Sequence, residues 1–266
     1  MAKTVAKEER LDKVLAKLLD ISRKQASALI KDGRILVNNA LAQKGQDKVA
    51  PEDLIYLDEE LIEAAGLTQQ RRVLLFNKPT GCICADRDKR YPLVLNYLID
   101  IPHREMLHCA GRLDLDACGL IIVTDDGALI HEITAPKKQI AKIYFVTTDI
   151  PIPPKATEAL ARGVKHPEES ERYRPALLHR VGERVALVQV TEGRYHEVKR
   201  LMQTQGCEVT HLERLAIGAL CLPPTLGRGQ FYQLTEEEVA LMFVDPAPLT
   251  EVAAQYAAYM STLMQA

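Results

Sequence analysis

One carboxylate stands where a chain can present a reactive group: Asp114 ends a Gly-Arg-Leu-Asp motif at residues 111–114. The apolar, β-branched run at 119–124 follows it and predicts a buried strand. An aspartate in a loop held by a rigid strand is both exposed and well placed, which suits a nucleophile or a general base. Taken alone, such an aspartate is more often a turn or cap residue, so the rest of the chain must decide.

Length and composition bound the protein that carries this loop. The chain has 266 residues, of which 47% are hydrophobic, and we expect two domains. No apolar run approaches the ~20 residues that span a bilayer, and the start lacks a signal peptide's apolar stretch, so we expect a cytoplasmic protein without membrane attachment. Its six cysteines include no Cys-x-x-Cys pair, which favours reduced thiols over zinc or disulfides.

Positive charge is concentrated near the N-terminus, although the whole chain has a net charge of only −2. Residues 1–50 contain eleven Lys and Arg against six Asp and Glu, a balance of +5 that leaves −7 for the other 216 residues. Such asymmetry indicates an N-terminal region that binds nucleic acid.

That region is patterned as two short helices followed by a strand. Apolar residues recur at i, i+3, i+4 and i+7 from Leu11 to Leu18, which predicts a helix with one apolar stripe. A second helix is expected to start at Ser22, with Gln25 completing a capping box. Residues 34–37 predict a strand that enters a tight turn.

The pattern over about residues 8–60 resembles the S4 RNA-binding domain. The resemblance implies that basic side chains left outside the packed helices contact RNA. The alternative is a small helical domain with ordinary solvated lysines. The candidate RNA-binding residues of this domain are Arg10, Lys13, Arg23, Lys24, Lys31 and Arg34.

The rest of the chain predicts a second domain of a different kind. A polar, charged segment at 61–72 is interpreted as a linker, and in residues 73–243 strands outnumber helices without strict alternation. This pattern predicts an α+β fold around a mixed, mainly antiparallel sheet. A C-terminal extension at 244–266 is expected to form one more amphipathic helix after Thr250. The predicted strands are 73–77, 119–124, 142–148, 173–180, 185–191 and 209–215, and the predicted helices are 127–134, 155–162, 197–205 and 236–243, the last capped by Thr235 with Glu238.

Several motifs of this second domain resemble, in order and spacing, those of the pseudouridine synthases. They are Asn-Lys-Pro-Thr-Gly at 77–81, Gly-Arg-Leu-Asp with Gly-Leu within 111–120, Lys-Ile-Tyr at 142–144, and Glu-Gly-Arg-Tyr-His-Glu-Val-Lys-Arg at 192–200. Joined to an S4 domain, they are similar to the RsuA-type branch of that family over roughly residues 8–243. The resemblance implies an RNA isomerase that detaches a uridine from its ribose at N1, turns it and reattaches it through C5, with no cofactor and no metal.

The resemblance assigns three candidate catalytic residues. Asp114 matches the family's nucleophile, and attack on the ribose C1′, attack on the base C6 and elimination through a glycal all stay open. Because burial disfavours a charged carboxylate, a cation must lie close by, and Lys199 is expected to be that cation. Tyr144 is expected to stack on uracil, with its hydroxyl helping proton transfer at the sugar. Without the motifs, Lys199 would be a surface lysine and Tyr144 a core aromatic.

A second group of basic residues is expected to hold RNA around Asp114. A stacked uridine cannot reach this carboxylate, so the base must leave its helix. Arg112 is placed to fill the vacated gap or to hold a phosphate, unless it pairs with Asp116. The candidate residues of this group are Arg112, Arg194, His196 and Arg200.

Three residues depart from the family's pattern. Ala117 and Cys118 stand where Thr-Thr or Thr-Ser is common, so a loop hydroxyl is missing and other groups must support the loop. Glu197 stands where glutamine is common, which puts a second carboxylate near the expected pocket.

The motif at 195–200 also predicts the target. Its Tyr-His followed by Val-Lys-Arg resembles the small-subunit rRNA enzymes of the branch more than the large-subunit ones, which tend to carry Asn-Arg and an arginine in place of Lys199. The expected substrate is a uridine of 16S rRNA, free or in an assembling small subunit, and the expected state is a monomer. The alternatives are 23S rRNA and a non-catalytic S4-type RNA-binding protein. An RNA methyltransferase is not favoured, because the glycine-rich nucleotide loop is missing.

Overall fold

The computed structural model describes residues 8–50, 53–62 and 71–265. The chain divides into two compact units, Met1–Gln70 and Arg71–Ala266. No helix in the described part of the chain is long and apolar enough to cross a membrane.

The first unit consists of two helices and several short strands. Its elements are β1 (Glu9–Arg10), α1 (Leu11–Leu18), α2 (Arg23–Lys31), β2 (Ile35–Val37), β3 (Ala40–Leu41), β4 (Lys48–Val49), β5 (Ile55–Leu57) and β6 (Glu60–Ile62). The apolar stripe of α1 is buried together with residues of α2, β2 and β5. The predicted capping box is confirmed, because the Gln25 amide donates to the Ser22 hydroxyl and the Ser22 amide donates to the Gln25 side chain.

A four-stranded sheet of order β3-β2-β5-β6 forms one side of this unit. The turn between β2 and β3 is made by Asn38 and Asn39, whose φ angles of 49° and 65° give the left-handed pair that a tight hairpin requires. The predicted strand and turn are therefore confirmed. The segment predicted as a linker, 61–72, begins inside β6, and its residues 63–70 lie outside the described residues.

The second unit is a large sheet with helices packed on it. Its strands are β7 (Val73–Lys78), β8 (His108–Ala110), β9 (Cys118–Thr124), β10 (Lys142–Thr148), β11 (Leu177–Arg180), β12 (Val185–Val190), β13 (Val209–Ile217), β14 (Leu220–Cys221) and β15 (Phe231–Gln233). Its helices are α3 (Gly127–Thr134), α4 (Ala156–Ala161), α5 (Glu197–Gln203), α6 (Glu236–Leu241), α7 (Leu249–Gln255) and α8 (Ala257–Gln265). Apolar clusters on both faces of the sheet form the core.

The main sheet has the order β11-β12-β10-β13-β9-β7-β15, with β14 beside β13 and β8 beside β9. Its strand pairs are antiparallel except the pair of β9 and β13. The α+β class and the mixed, mainly antiparallel sheet are thus confirmed. The backbones approach closely at the parallel pair, since a Cβ on Gly119 would lie 2.3 Å from the Arg214 carbonyl oxygen. This contact brings the loop of Asp114, just before β9, beside β13.

One predicted strand is shorter than expected. Residues 173–176 are irregular, and strand β11 begins only at Leu177. The Tyr173 amide donates to the Val164 carbonyl and the Ala176 amide to the Leu160 carbonyl, so this stretch follows the end of α4 instead of a strand. Pro175, which has no amide proton, fits such a segment better than the interior of a sheet.

The C-terminal segment forms two helices, not the single predicted one, and the first starts at Leu249, before Thr250. Tyr256 lies between them with its ring fully buried, and its hydroxyl donates to the carbonyls of Leu215 and Leu222. Val252 and Met260 join the same apolar cluster on the sheet. The extension therefore covers one face of the second unit.

Candidate active site

A cavity of about 130 Å³ opens in the second unit between the loop of Asp114, strands β10 and β13, and the segment before α5. This volume is well above the ~10–15 Å³ that a single water needs, so the cavity has room for a larger group. The residues predicted from sequence that line it are Arg112, Asp114, Tyr144, Arg194 and His196. Lys199 contacts Asp114, whereas Arg200 does not line the cavity.

The loop of Asp114 is held from below by a buried lysine. The Lys78 ammonium donates to three carbonyl oxygens, those of Asp114 (3.0 Å), Ala117 (2.8 Å) and Pro79 (3.1 Å). Lys78 is fully buried, and burial lowers its pKa. Residues 117 and 118 have no side-chain hydroxyl to hold this loop in place, whereas the hydrogen bonds from Lys78 do hold it. Lys78 belongs to the Asn-Lys-Pro-Thr-Gly motif at 77–81, but nothing in that motif indicates this role.

A histidine and a lysine flank the Asp114 carboxylate, which is 27% exposed. His196 Nε2 lies 3.4 Å from one oxygen and Lys199 Nζ lies 3.6 Å from the other. Lys199 is closer still to Asp116, at 2.7 and 2.8 Å from its two oxygens. The expected proximity of residues 114 and 199 is therefore present, although Lys199 is shared between two carboxylates.

Arg112 stands exposed at the mouth of the cavity. The alternative expectation was an ion pair between Arg112 and Asp116, but the Asp116 carboxylate binds Lys199 instead. Arg112 forms no ion pair within the described residues. Its guanidinium group is thus available to a ligand at the cavity mouth.

Tyr144 points into the cavity from β10 and is only 7% exposed. Burial raises the pKa of its hydroxyl, and the positive charge of the nearby Arg214 opposes that rise. Arg214 faces Tyr144 across the pair of β10 and β13, and its Nε donates to the Leu120 carbonyl at 2.7 Å. Arg214 was not predicted as a site residue; the adjacent charged pair Glu213 and Arg214 inside a predicted strand is the signal that could have identified it.

Lys142 and Glu197 add two ionisable groups to the cavity lining. Burial, helped by the nearby Arg214, lowers the pKa of Lys142 to about 8, and Glu197 opposes that shift. Burial also raises the pKa of Glu197, whose carboxylate accepts the amides of Gly193 (2.6 Å) and Arg194 (3.1 Å). The carboxylate expected near the pocket is thus there, and it holds the segment before α5. Lys142, two residues before Tyr144, shares its face of β10.

We expect Lys142 to titrate well below the exposed lysines of this chain. With ¹³C-labelled lysine side chains, the Lys142 resonance should shift with a midpoint near pH 8, because burial disfavours its charged form. Exposed lysines should titrate near ~10.4. The Lys142→Arg variant identifies the signal by its disappearance. Titration of every lysine near the unperturbed value would contradict the buried position of this amine.

Arg194 and Arg200 are both tied to Glu169. Each forms an ion pair with that carboxylate, and Arg200 also reaches Glu168 at 3.1 Å. The Arg194 guanidinium lies 4.3 Å from the Tyr173 ring centroid. Contact of these two arginines with RNA therefore stays a prediction, and it would have to share or break existing ion pairs.

The basic residues of the first unit fall into two classes. Arg10 and Arg23 both bind the buried Asp12 carboxylate, at 2.7 and 3.0 Å. Other ion pairs join Lys13 to Glu9 and Arg34 to Asp58. Lys24 and Lys31 are exposed and form no ion pair within the described residues.

A three-residue cluster outside the cavity has the donor atoms of a metal site. Cys118, His211 and Glu213 bring ligand atoms within 4.8 Å of one another. The Glu213 carboxylate, however, already binds Arg228 (2.6 Å) and Tyr259 (2.7 Å). Burial and Glu213 also raise the pKa of the Cys118 thiol to about 12, which disfavours the thiolate that a metal needs. These residues therefore fit an internal network better than an ion.

Comparison with known proteins identifies the family of this fold. Residues 72–234 match the family model of RNA pseudouridylate synthases, and residues 9–55 match that of the S4 domain. The chain belongs to the RNA pseudouridylate synthase family, which confirms the resemblance seen in its motifs. It is therefore an isomerase of the class that converts uridine to pseudouridine in RNA.

Curated relatives and a solved structure extend the match over most of the chain. The Escherichia coli K12 protein named ribosomal small subunit pseudouridine synthase A is 37% identical over 232 residues, which are 87% of this chain and 98% of that protein. The Haemophilus influenzae protein of the same name is 35% identical over 86% of this chain and 97% of its own length. A crystal structure of a pseudouridylate synthase, 34% identical, superposes with a TM-score of 0.63 over 88% of this chain and 99% of that one.

Proposed function

We propose that this protein converts one uridine of 16S rRNA to pseudouridine, with Asp114 as the nucleophile. The observation that carries the proposal is the cavity in which the Asp114 carboxylate lies between His196 and Lys199 at 3.4 and 3.6 Å. The small-subunit target is supported by the relatives named ribosomal small subunit pseudouridine synthase A. Such a substrate implies action in the cytoplasm, where small subunits assemble.

Asp114, Lys199 and Tyr144 each have a proposed part in the isomerisation. Asp114 attacks the ribose C1′ or the base C6, or promotes elimination through a glycal, and the N1–C1′ bond breaks. The uracil turns within the cavity and C5 bonds to C1′. The bond between Asp114 and carbon breaks again or, in the glycal route, the proton taken from C2′ returns to it. The C5 proton then leaves and N1 takes up a proton, so the atoms balance. Lys199 keeps Asp114 ionised, because a nearby cation favours a charged carboxylate. Tyr144 stacks on the base, and its hydroxyl is placed to assist proton transfer.

The basic residues are proposed to bring the RNA to the cavity. Extruding a uridine costs a few kcal/mol, and Arg112 at the cavity mouth is placed to fill the gap or to hold a phosphate. The S4 unit binds RNA through Lys24 and Lys31, whose charges are not paired within the described residues. Arg10 and Arg23 are available in a fixed orientation, because the buried Asp12 holds both guanidinium groups. The protein is proposed to act as a monomer.

The test is to map pseudouridine after incubating the purified protein with unmodified 16S rRNA, with assembling small-subunit particles, and with 23S rRNA. We expect one new pseudouridine in 16S rRNA or in the particles and none in 23S rRNA. Modification of 23S rRNA alone would move the target to the large subunit. RNA binding without any pseudouridine in either RNA would reduce the protein to a non-catalytic RNA-binding module.

Replacing Lys24 and Lys31 of the S4 unit should weaken RNA binding in a salt-dependent way. For the double variant Lys24→Gln and Lys31→Gln, the slope of log affinity against log salt should fall by roughly 1.4 to 1.8, because each phosphate contact contributes about 0.7 to 0.9. The matched control is Lys155→Gln, an exposed lysine of the second unit. Equal salt slopes for the double variant and the control would exclude these lysines from the RNA interface.

A further inference from the structure

Tyr195 and His196 form a pair of stacked rings at the rim of the cavity. Their centroids lie 3.8 Å apart, with ring planes inclined by 19°. His196 lines the cavity and directs Nε2 toward Asp114, whereas Tyr195 is 63% exposed. This ring pair therefore connects the open surface with the proposed nucleophile.

The backbone at His196 sets the position of the pair. His196 immediately precedes α5 and has φ 51° and ψ 30°, a left-handed conformation. That conformation is unfavourable for a residue with a Cβ, and residues held in it concentrate at binding and catalytic sites. Here it accompanies an imidazole that contacts both Asp114 and the Tyr195 ring.

The Tyr195 ring keeps a large accessible surface. His196 stacks on one face of the ring, and the residue is still 63% exposed. The Arg200 guanidinium lies 5.5 Å from the ring centroid, farther than the imidazole, and is bound to Glu168 and Glu169. Tyr195 thus contributes little to the core and presents a fixed aromatic surface beside the cavity.

We propose that the face of the Tyr195 ring opposite His196 binds a nucleobase next to the target uridine in the RNA strand. Extruding the uridine breaks its stacking on both neighbours. A neighbouring base can regain one stack on Tyr195, because aromatic side chains accept the flat face of any base. The base, the Tyr195 ring and the His196 ring would then form one stack that leads toward Asp114. This inference rests on the proposed function, since it requires the uridine to occupy the cavity.

The probe is a short single-stranded RNA with one uridine between two 2-aminopurines, whose emission falls when they stack. Every protein carries Asp114→Asn, so that the uridine is not converted. Three proteins are compared at position 195: one keeps Tyr195, the Tyr195→Phe variant keeps the ring, and the Tyr195→Ala variant removes it. We expect higher emission at saturating protein for Tyr195→Ala than for the other two, and roughly 5- to 150-fold weaker binding, as for loss of one base stack.

Two results would overturn the proposal. One is equal emission and equal affinity for the Phe and Ala variants, and the other is an emission that none of the proteins changes. A folding defect is excluded by thermal unfolding, because a substitution at an exposed side chain should leave the melting temperature unchanged.

The proposed function is judged by a separate readout, which is pseudouridine formation in 16S rRNA by chains with Asp114 intact. If the unsubstituted protein formed no pseudouridine while the emission difference persisted, the proposed function would fail and the stacking site would stand. If it formed pseudouridine but Tyr195→Ala matched Tyr195→Phe in emission, the stacking site would fail alone.

Discussion

Replacing Asp114 with asparagine should abolish pseudouridine formation, with a loss of at least about 10⁴-fold in rate, the scale seen when an essential nucleophile or its partner is removed. The amide is nearly the same size as the carboxylate but cannot attack carbon. RNA binding should be unchanged or slightly stronger, because the substitution removes a negative charge beside the phosphate backbone. Pseudouridine mapping and a filter-binding titration measure the two effects.

Asp116→Asn is the matched control for that prediction. Asp116 lies two residues away, is 69% exposed, and binds the same Lys199. Its removal deletes an exposed ion pair worth ~0 to 1 kcal/mol, so we expect less than a tenfold change in rate. If Asp116→Asn were as inactive as Asp114→Asn, or if Asp114→Asn kept its activity, the nucleophile would have to be sought elsewhere.

The elements that position the site were largely predictable from sequence, because they depend on local pattern. Strand β10 coincides with the predicted 142–148 and helix α3 with 127–134. Both segments combine a regular apolar repeat with a clear start, such as the Asp126 side chain that caps α3. Asp114, Tyr144 and Lys199 were found through motif order, which fixes chain position but not geometry.

The contacts that support these residues were not predictable, because they join side chains far apart in sequence. Nothing near Lys199 in the chain indicates that Asp116 holds it more closely than Asp114 does. In the same way, the pairing of Arg194 and Arg200 with Glu169 depends on how the segment after α4 folds back. Such ion-pair partners depend on the tertiary packing of the sheet. The local periodicity of the sequence does not indicate which distant side chains will meet.

Short elements that form only because of the tertiary fold were also not predicted. The strands β8, β14 and β15 have two or three residues each, too few to show an alternating pattern, and they exist because the neighbours β9, β13 and β7 offer free backbone groups. The second C-terminal helix is a similar case. The first helix ends before Tyr256, because the ring of that residue enters the core, and a second helix begins after it.

The support that Lys78 gives to the site was the contact least evident from the sequence. Of the substitutions considered, replacing Lys78 should lower the free energy of unfolding most. Lys78→Met keeps the length of the side chain and leaves the carbonyls of Pro79, Asp114 and Ala117 without their donor. Each unsatisfied buried acceptor costs about 1 to 3 kcal/mol. Relief from burying a charge offsets part of this cost, since burial already lowers the pKa of Lys78. We therefore expect the free energy of unfolding to fall by about 2 to 4 kcal/mol.

Urea denaturation followed by circular dichroism measures this change, and Lys138→Met provides the comparison. Lys138 is 54% exposed and pairs with Glu132 at the surface, so its replacement should alter the free energy of unfolding by less than about 0.5 kcal/mol. Lys78→Met should also lower the rate of pseudouridine formation in the protein that remains folded, because the loop of Asp114 loses its anchor. Equal unfolding midpoints for the two variants would mean that the buried ammonium contributes nothing to holding that loop.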